Sequence, residues 1–232
     1  MRTSISISFS EFTSHNETYF DLVKEKLLLT GFDSEQGYGF QDINILGNII
    51  SAVLVKRSAT FIQQINPTSG QLEENEIFVY ARINFNIDFD YRTLDVLGPI
   101  SNSGKVRSIL RTLLKNEVSI ASIVLAPHEV VNTFNLLDPV VNINSLTVNN
   151  FRHRDGITGR YDMKFSVPEL AHEVITSYQH DIVKAQIQVM SSPVGEFEAT
   201  ISKNGHLNLV SQNDNLGEVC LYFKSIVLNR EV

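Results

Sequence analysis

The sequence predicts an α+β fold in which an antiparallel sheet carries helices on one face. Three observations point there. Residues 76–91 alternate without a break: Val79, Ala81, Ile83, Phe85, Ile87, Phe89 and Tyr91 fall on one side, and Phe78, Tyr80, Arg82, Asn84, Asn86, Asp88 and Asp90 on the other. Period two over that length means one face on a core and one in water. Residues 103–115 place Val106, Ile109, Leu110 and Leu113 at helical spacing. Asn204-Gly205 stands between two short alternating runs, the strongest signal for a two-residue hairpin.

The remaining elements follow in chain order. Residues 4–9 alternate Ile5, Ile7 and Phe9 and form a short strand. A helix is expected over 17–30, capped by Asn16, lined by Phe20, Val23 and Leu27, and stopped by Gly31. Residues 31–47 read as a glycine-punctuated connection, and 49–65 as a strand. The loop between it and the 76–91 strand starts at Asn66-Pro67, and its acidic end (Glu73, Glu74, Glu76) reads as solvated. Short strands are expected at 94–97 and 119–125, a short helix at 127–137 and a strand at 140–148. Residues 151–165 read as a hairpin, 168–180 as a helix with Pro168 in its first turn, and 181–190 as a strand. The chain closes with strands over 197–202 and 206–210 and a helix capped by Asn213 or Asn215.

The 232 residues give 43% hydrophobic and 19% charged side chains, ordinary for a globular chain. The net charge of −7 divides evenly, −3 over 1–125 and −4 over 126–232, which argues against coating nucleic acid or an anionic membrane by bulk charge. One cysteine, Cys220, rules out an intrachain disulfide and a cysteine-based zinc site, and its apolar helical surroundings read as a buried thiol. MRTSISISFSEF has no signal-peptide core, and no run approaches the ~18 apolar residues of a membrane span. A cytoplasmic protein with no membrane partner is expected.

Two stretches share one grammar. RTLDVLGPISNSGKVRSILRTLL (92–114) and GHLNLVSQNDNLGEVCLYFKSIVL (205–228) each give a short strand, a polar loop and an amphipathic helix. Two α+β halves follow, 1–125 with a long β-hairpin and 126–232, expected to share one sheet. At GRYDMKFSV with its following helix, and FEATISKNGHLNLVSQNDN with the last helix, the chain resembles the TATA-binding-protein-like (TBP-like) fold. The resemblance covers about 90 residues of the C-terminal half and topology elsewhere; the hairpin within 49–91 exceeds that family's pattern. It implies a curved antiparallel sheet of two pseudo-repeats. The family reads a minor groove and wedges Phe between base steps. Here the implied open face carries Arg82, Asn84, Asn86, Asp88, Asp90, Arg160, Asp162, Lys164, Lys184, Gln186, Gln188, Glu196, Glu198, Thr200, His206 and Asn208, a surface of mixed sign with Phe78 and Tyr80 as the nearby stacking groups. A saddle binding a protein or another polar ligand fits that surface better than one binding DNA.

The densest basic cluster is FRHRDGITGRYDMKF. His153-Arg154-Asp155 suggests a kinase catalytic loop, but Arg160 stands where that loop needs a metal-holding Asn, and no phosphate loop or Asp-Phe-Gly accompanies it. Asp155-Gly156 and Thr158-Gly159 are turn chemistry. Arg152, His153, Arg154, Arg160 and Lys164 are therefore candidate contacts to phosphate or to an acidic partner; a solvated hairpin is the plainer reading. Arg107, Arg111 and Lys115 recur every four residues on one helix, a second candidate docking face. Phe78, Tyr80, Arg82 and Asn84 are candidate contacts on the long strand.

An enzyme needs converging ionisable groups. His172-Glu173 lacks the second His of the zinc-protease motif, although His172 and His180 could flank a site on one helix. Asp88 and Asp90, about 7 Å apart on one strand face, are weak metal candidates with Glu76 or Asp95 as third ligand; edge-strand charges against aggregation are the plainer reading. No nucleophile elbow or P-loop is present. The expectation is a non-catalytic interaction subunit without cofactor, binding a protein partner through its sheet face and basic hairpin. A larger prokaryotic assembly is the expected context, though no residue carries that part. Two alternatives stay open: a nucleic-acid binder using the basic hairpin and helix, and a divergent metal-dependent enzyme.

Overall fold

A computed structural model describes residues 2–14, 18–137, 141–154, 156–191, 193–212 and 215–228, with the side chains of Asn116, His153, Arg154, Ile157 and Pro168 left aside. Among the described residues the fold is α+β, with eleven strands paired antiparallel and five α-helices. The strands are β1 (Thr3–Thr13), β2 (Tyr38–Leu46), β3 (Ile49–Ile65), β4 (Leu72–Asp88), β5 (Thr93–Leu97), β6 (Ser119–Ser122), β7 (Val141–Arg154), β8 (Ile157–Lys164), β9 (Ile182–Ser191), β10 (Gly195–Ser202) and β11 (His206–Ser211). The helices are α1 (Tyr19–Leu29), α2 (Ile100–Leu114), α3 (Pro127–Leu137), α4 (Pro168–Tyr178) and α5 (Leu216–Val227). None of these helices is long and apolar enough to cross a membrane.

The chain divides into two compact units, one of residues 1–11, 97–100 and 120–232, the other of 12–96 and 101–119. In the first, the strand order is β1-β11-β10-β9-β7-β8, with β6 also paired to β1. Its core interleaves alternate sheet residues (Ala185, Ile187, Val189, Phe197, Ala199, Ile201, Leu207, Leu209) with Val130, Val131 and Phe134 of α3 and Val219 and Phe223 of α5. Phe134 and Phe223 meet at 5.6 Å between ring centroids. The β10–β11 hairpin closes over three residues, 203–205, rather than the two expected: Ser202 pairs with His206 and Gly205 N–H donates to Ser202 O at 3.1 Å, so only the glycine takes the left-handed conformation. Gly205 sits at φ +78°, and its carbonyl accepts from Phe9 N–H of β1 at 2.9 Å. β7 runs to Arg154 and β8 begins at Ile157, with Gly156 at φ +79°, so residues 157–159 belong to a strand rather than to the hairpin tip.

In the second unit β2-β3-β4-β5 lie side by side. The core takes Ile50, Ala52 and Leu54 from β3, Ile83, Phe85 and Ile87 from β4, Val23 and Leu27 from α1, and Val106, Leu110 and Leu114 from α2. Phe89, just past β4, gathers Phe12, Tyr19 and Phe20 within 4.8–6.1 Å. Burial holds the Tyr19 phenol above its ordinary pKa, with the nearby Arg92 cation pulling the other way.

Several expectations need correction. β2 is a strand where the sequence suggested a connection. β4 begins at Leu72 rather than Glu76, so Glu73 and Glu74 belong to the strand and not to the loop. It ends at Asp88, so Phe89 and Tyr91 lie in the following turn. α1 starts at Tyr19; the expected cap Asn16 lies outside the described residues, as does Asn213.

Candidate functional site

The β3–β4 ladder runs unbroken from Ile49–Asp88 to Ile65–Leu72. β2 accompanies β3 only as far as Lys56, and β5 accompanies β4 only from Phe85 to Asp88. Arg57 N–H still donates to Gly37 O at 2.7 Å beside β2; beyond it, the eight pairs from Ser58–Val79 to Ile65–Leu72 form a bare two-stranded ribbon, roughly 27 Å long at ~3.4 Å per residue. The alternation read from the sequence continues through this ribbon, but among the described residues no layer covers it. Val79, on the side that is core-facing at Ile83, is 50% exposed. Phe61, Ile65, Leu72, Ile77, Phe78 and Tyr80 are also exposed. Monomeric proteins rarely leave so many large apolar side chains contiguous in water.

The ribbon's base is organised on one face. Paired residues of an antiparallel ladder share a face, so Arg57 and Tyr80, Ala59 and Phe78, and Val55 and Arg82 lie together. The Arg57 guanidinium sits 4.1 Å from the Phe78 ring centre, a cation–π stack. Phe32 meets Tyr80 edge-on at 5.8 Å. Phe32 reaches this face because the Gly31–Phe32 backbone crosses directly over Gly39 of β2, where a Cβ would stand closer to those main-chain atoms than the 3.0 Å real Cβ atoms respect. Arg82 donates Nη1 to Gln41 Oε1 and Nη2 to Asp42 Oδ2, both at 2.9 Å. Asn84 is exposed beside it. The four candidates Phe78, Tyr80, Arg82 and Asn84 thus form one row. Arg57, Phe32 and Phe61 join the surface without having been singled out, since only pairing register and the crossing at Gly39 bring them there.

The basic candidates fall into separate places. Arg152, Arg160 and Lys164 are exposed on the β7–β8 hairpin. The backbone of His153 and Arg154 ends β7, and Asp155 lies outside the described residues. Arg160 lines an open depression of ≈ 470 Å³ with Val124, Val183, Lys184, Ser202, Lys203 and Asn204. Among the described residues, three cations and no carboxylate line it. On the same sheet Asp162 is held by Thr147, Glu196 by Gln188 and Glu198 by Arg2. Lys203 had not been singled out; it arrives through the β10–β11 turn and donates to His180 O at 3.2 Å. Arg107 and Arg111 lie on α2, but α2 stops at Leu114 and Lys115 turns away at φ +49°, so the four-residue row is broken.

The metal candidates separate too. Asp88 is buried rather than water-facing, and its Oδ1 accepts Tyr91 N–H at 3.1 Å. Asp90 accepts from Asn48 Nδ2 at 2.7 Å. Both carboxylates therefore serve turns at the end of β4. Glu76 is at the exposed ribbon, far along the same strand. Among the described residues no three His, Cys, Asp or Glu side chains are grouped to hold a metal ion. His180 lies beyond α4, so it does not share a helix with His172; its ring meets His128 at 5.7 Å. His206 places Nδ1 2.9 Å from Ser8 Oγ, and burial lowers its pKa.

No family model matches this chain, and no curated protein is significantly similar to it in sequence.

Proposed function

We propose that the chain is a non-catalytic interaction subunit that binds a protein partner, with the β3–β4 ribbon as the main contact element. The observation that carries this reading is the ribbon itself: two strands with large apolar side chains exposed on both faces. A hairpin that packs on nothing is marginal in water and gains stability when another surface covers it. Aromatic groups and arginine at its base (Phe32, Phe78, Tyr80, Arg57) are the side chains that dominate protein contacts. The two halves are read as pseudo-repeats of a TBP-like saddle. The supporting likeness is that β3-β4-β5-α2 and β9-β10-β11-α5 follow the same order.

The test is a pull-down of tagged chain from its host, with and without nuclease, comparing wild type with a Phe61→Ser/Tyr80→Ser variant. A stoichiometric protein captured after nuclease and lost with the variant supports the reading. Capture unchanged by the variant removes the ribbon as the contact.

A nucleic-acid or other polyanion contact has one observation in its favour, the depression lined by Arg160, Lys184 and Lys203. It predicts binding to a single-stranded oligonucleotide that falls steeply with salt and is lost in Arg160→Glu/Lys184→Glu.

A further inference from the structure

The depression at Arg160 is assembled within one compact unit, on the sheet side opposite the buried Ala185 and Ile201. Lys184 pairs with Ser202 on β10 and with Thr147 on β7, and Thr147 pairs with Asp162 on β8. Paired residues share a face, and Arg160, two residues before Asp162, takes the same side. Lys203 enters from the β10–β11 turn. Its N–H donates to Val183 O at 2.9 Å and its ammonium to His180 O at 3.2 Å, which fixes the cation at the rim and leaves two of its three donors unused. Leu125 N–H donates to Lys203 O at 3.2 Å and so brings the exposed Val124 alongside. Arg160 and Lys184 are exposed and, among the described residues, make no ion pair. The carboxylates nearest to them in sequence are held elsewhere: Asp162 accepts from Thr147 Oγ1, and Asp181 accepts from Asn150 Nδ2 at 3.0 Å.

We propose that this depression binds a compact phosphate-bearing ligand, a phosphate monoester or diphosphate, rather than a nucleic-acid chain. A guanidinium and two ammonium groups converging without a carboxylate suit a multivalent oxyanion: arginine binds phosphate through paired N–H groups and lysine as a point charge. Ser202 adds a hydroxyl. Asn204 Oδ1 accepts His206 N–H at 3.4 Å, which leaves its Nδ2 as a further donor. The volume of ≈ 470 Å³ falls within the ~300–1,000 Å³ of small-ligand sites, and Val124 and Val183 give an apolar wall for the rest of the molecule. The borders decide against a polymer. On β8, Asp162 stands between Arg160 and Lys164. Along β9 and β10 the same face runs through Gln186–Thr200 to Gln188–Glu198 and Met190–Glu196, so carboxylates stand from about 14 Å onward at ~3.4 Å per residue. A chain of phosphates crossing either border meets like charge. The inference rests on the polyanion reading of this depression, which it narrows, and is independent of the ribbon.

The test is calorimetric titration of the full chain with inorganic pyrophosphate, adenosine monophosphate, unphosphorylated adenosine and oligothymidylates of increasing length. Salt at about 0.15 M screens loose surface attraction. Pyrophosphate and adenosine monophosphate are expected to saturate one site, with amide NMR shifts at Val183, Ser202 and Asn204, and adenosine is expected not to bind. Arg160→Gln and Lys184→Gln should each weaken binding by about tenfold. Lys164→Gln, outside the depression, should leave it unchanged. All three side chains are exposed, so circular dichroism melts check that the variants fold. Adenosine binding as well as its monophosphate, shifts confined to other residues, or equal losses in Lys164→Gln and Lys184→Gln would each overturn the proposal. Oligothymidylate affinity that rises with length while pyrophosphate and adenosine monophosphate fail to bind would also overturn it but leave the polyanion reading standing. Failure of every phosphate-bearing probe would remove both.

Discussion

Gly205 and Gly156 hold nearly the same backbone conformation in different surroundings, and this makes a quantitative prediction. Gly205 lies at φ +78° and Gly156 at φ +79°. An L side chain in this left-handed region costs about 1–2 kcal/mol. At Gly156 that is the whole cost, because a Cβ there meets nothing within 4 Å. At Gly205 the Cβ would stand 2.6 Å from Ile123 O and 3.0 Å from Phe9 O. Neither oxygen yields easily. Phe9 N–H is bonded to Gly205 O at 2.9 Å, and Leu125 N–H to Lys203 O at 3.2 Å, so the turn is tied to both neighbours. Forcing a methyl into a filled site costs a further ~1–3 kcal/mol. Gly156→Ala should therefore lose about 1–2 kcal/mol and Gly205→Ala about 2–5 kcal/mol. Urea unfolding gives both values, and hydrogen exchange at the Phe9 amide reports on the turn directly; Gly205→Ala should speed it and Gly156→Ala should not. Equal losses, within about 0.5 kcal/mol, would refute the close approach at Gly205 and leave only the backbone term.

Further outcomes follow from the same reasoning. Gly39→Ala should destabilise by about 1–3 kcal/mol in urea unfolding, because its methyl collides with the Gly31–Phe32 main chain. The Phe32–Tyr80 ring contact should loosen with it, visible in aromatic NMR shifts. Burial lowers the His206 pKa in the folded chain. Between that lowered value and the ordinary ~6.5, the unfolded chain binds a proton that the folded chain refuses. Stability should therefore rise with pH through the window just below ~6.5 and show no His206 contribution above it; urea unfolding across pH should show this slope flattened in His206→Gln.

Much of the architecture is legible in local sequence because it rests on local physics. Period two in β4 assigns Ile83, Phe85 and Ile87 to the core. Gly205 marks the β10–β11 hairpin because few other residues tolerate φ +78°, although the loop proves one residue longer than the dipeptide suggests. Pro168 begins α4, where a missing N–H costs nothing. β2 was illegible because YGFQDINIL neither alternates cleanly nor carries its own signal; β3 imposes the strand by pairing, across an irregularity between Gln41 and Asn44. The candidate surface divides in the same way. The row Phe78, Tyr80, Arg82 and Asn84 was readable from alternation alone, whereas Arg57, Phe32 and Lys203 were not.

The sequence by itself determined the α+β class, the alternating faces and the absence of any disulfide within the chain. Only the tertiary structure decided which faces are covered. Alternation states which side a residue takes but not whether another layer lies over that side. Val79 and Ile83 carry the same pattern, yet one is half exposed and the other buried. Asp88 shows the converse: a charge assigned to water is buried because the strand ends there and the Tyr91 amide needs an acceptor. Coverage depends on where distant elements stop, and that is a property of the packed chain rather than of any window within it.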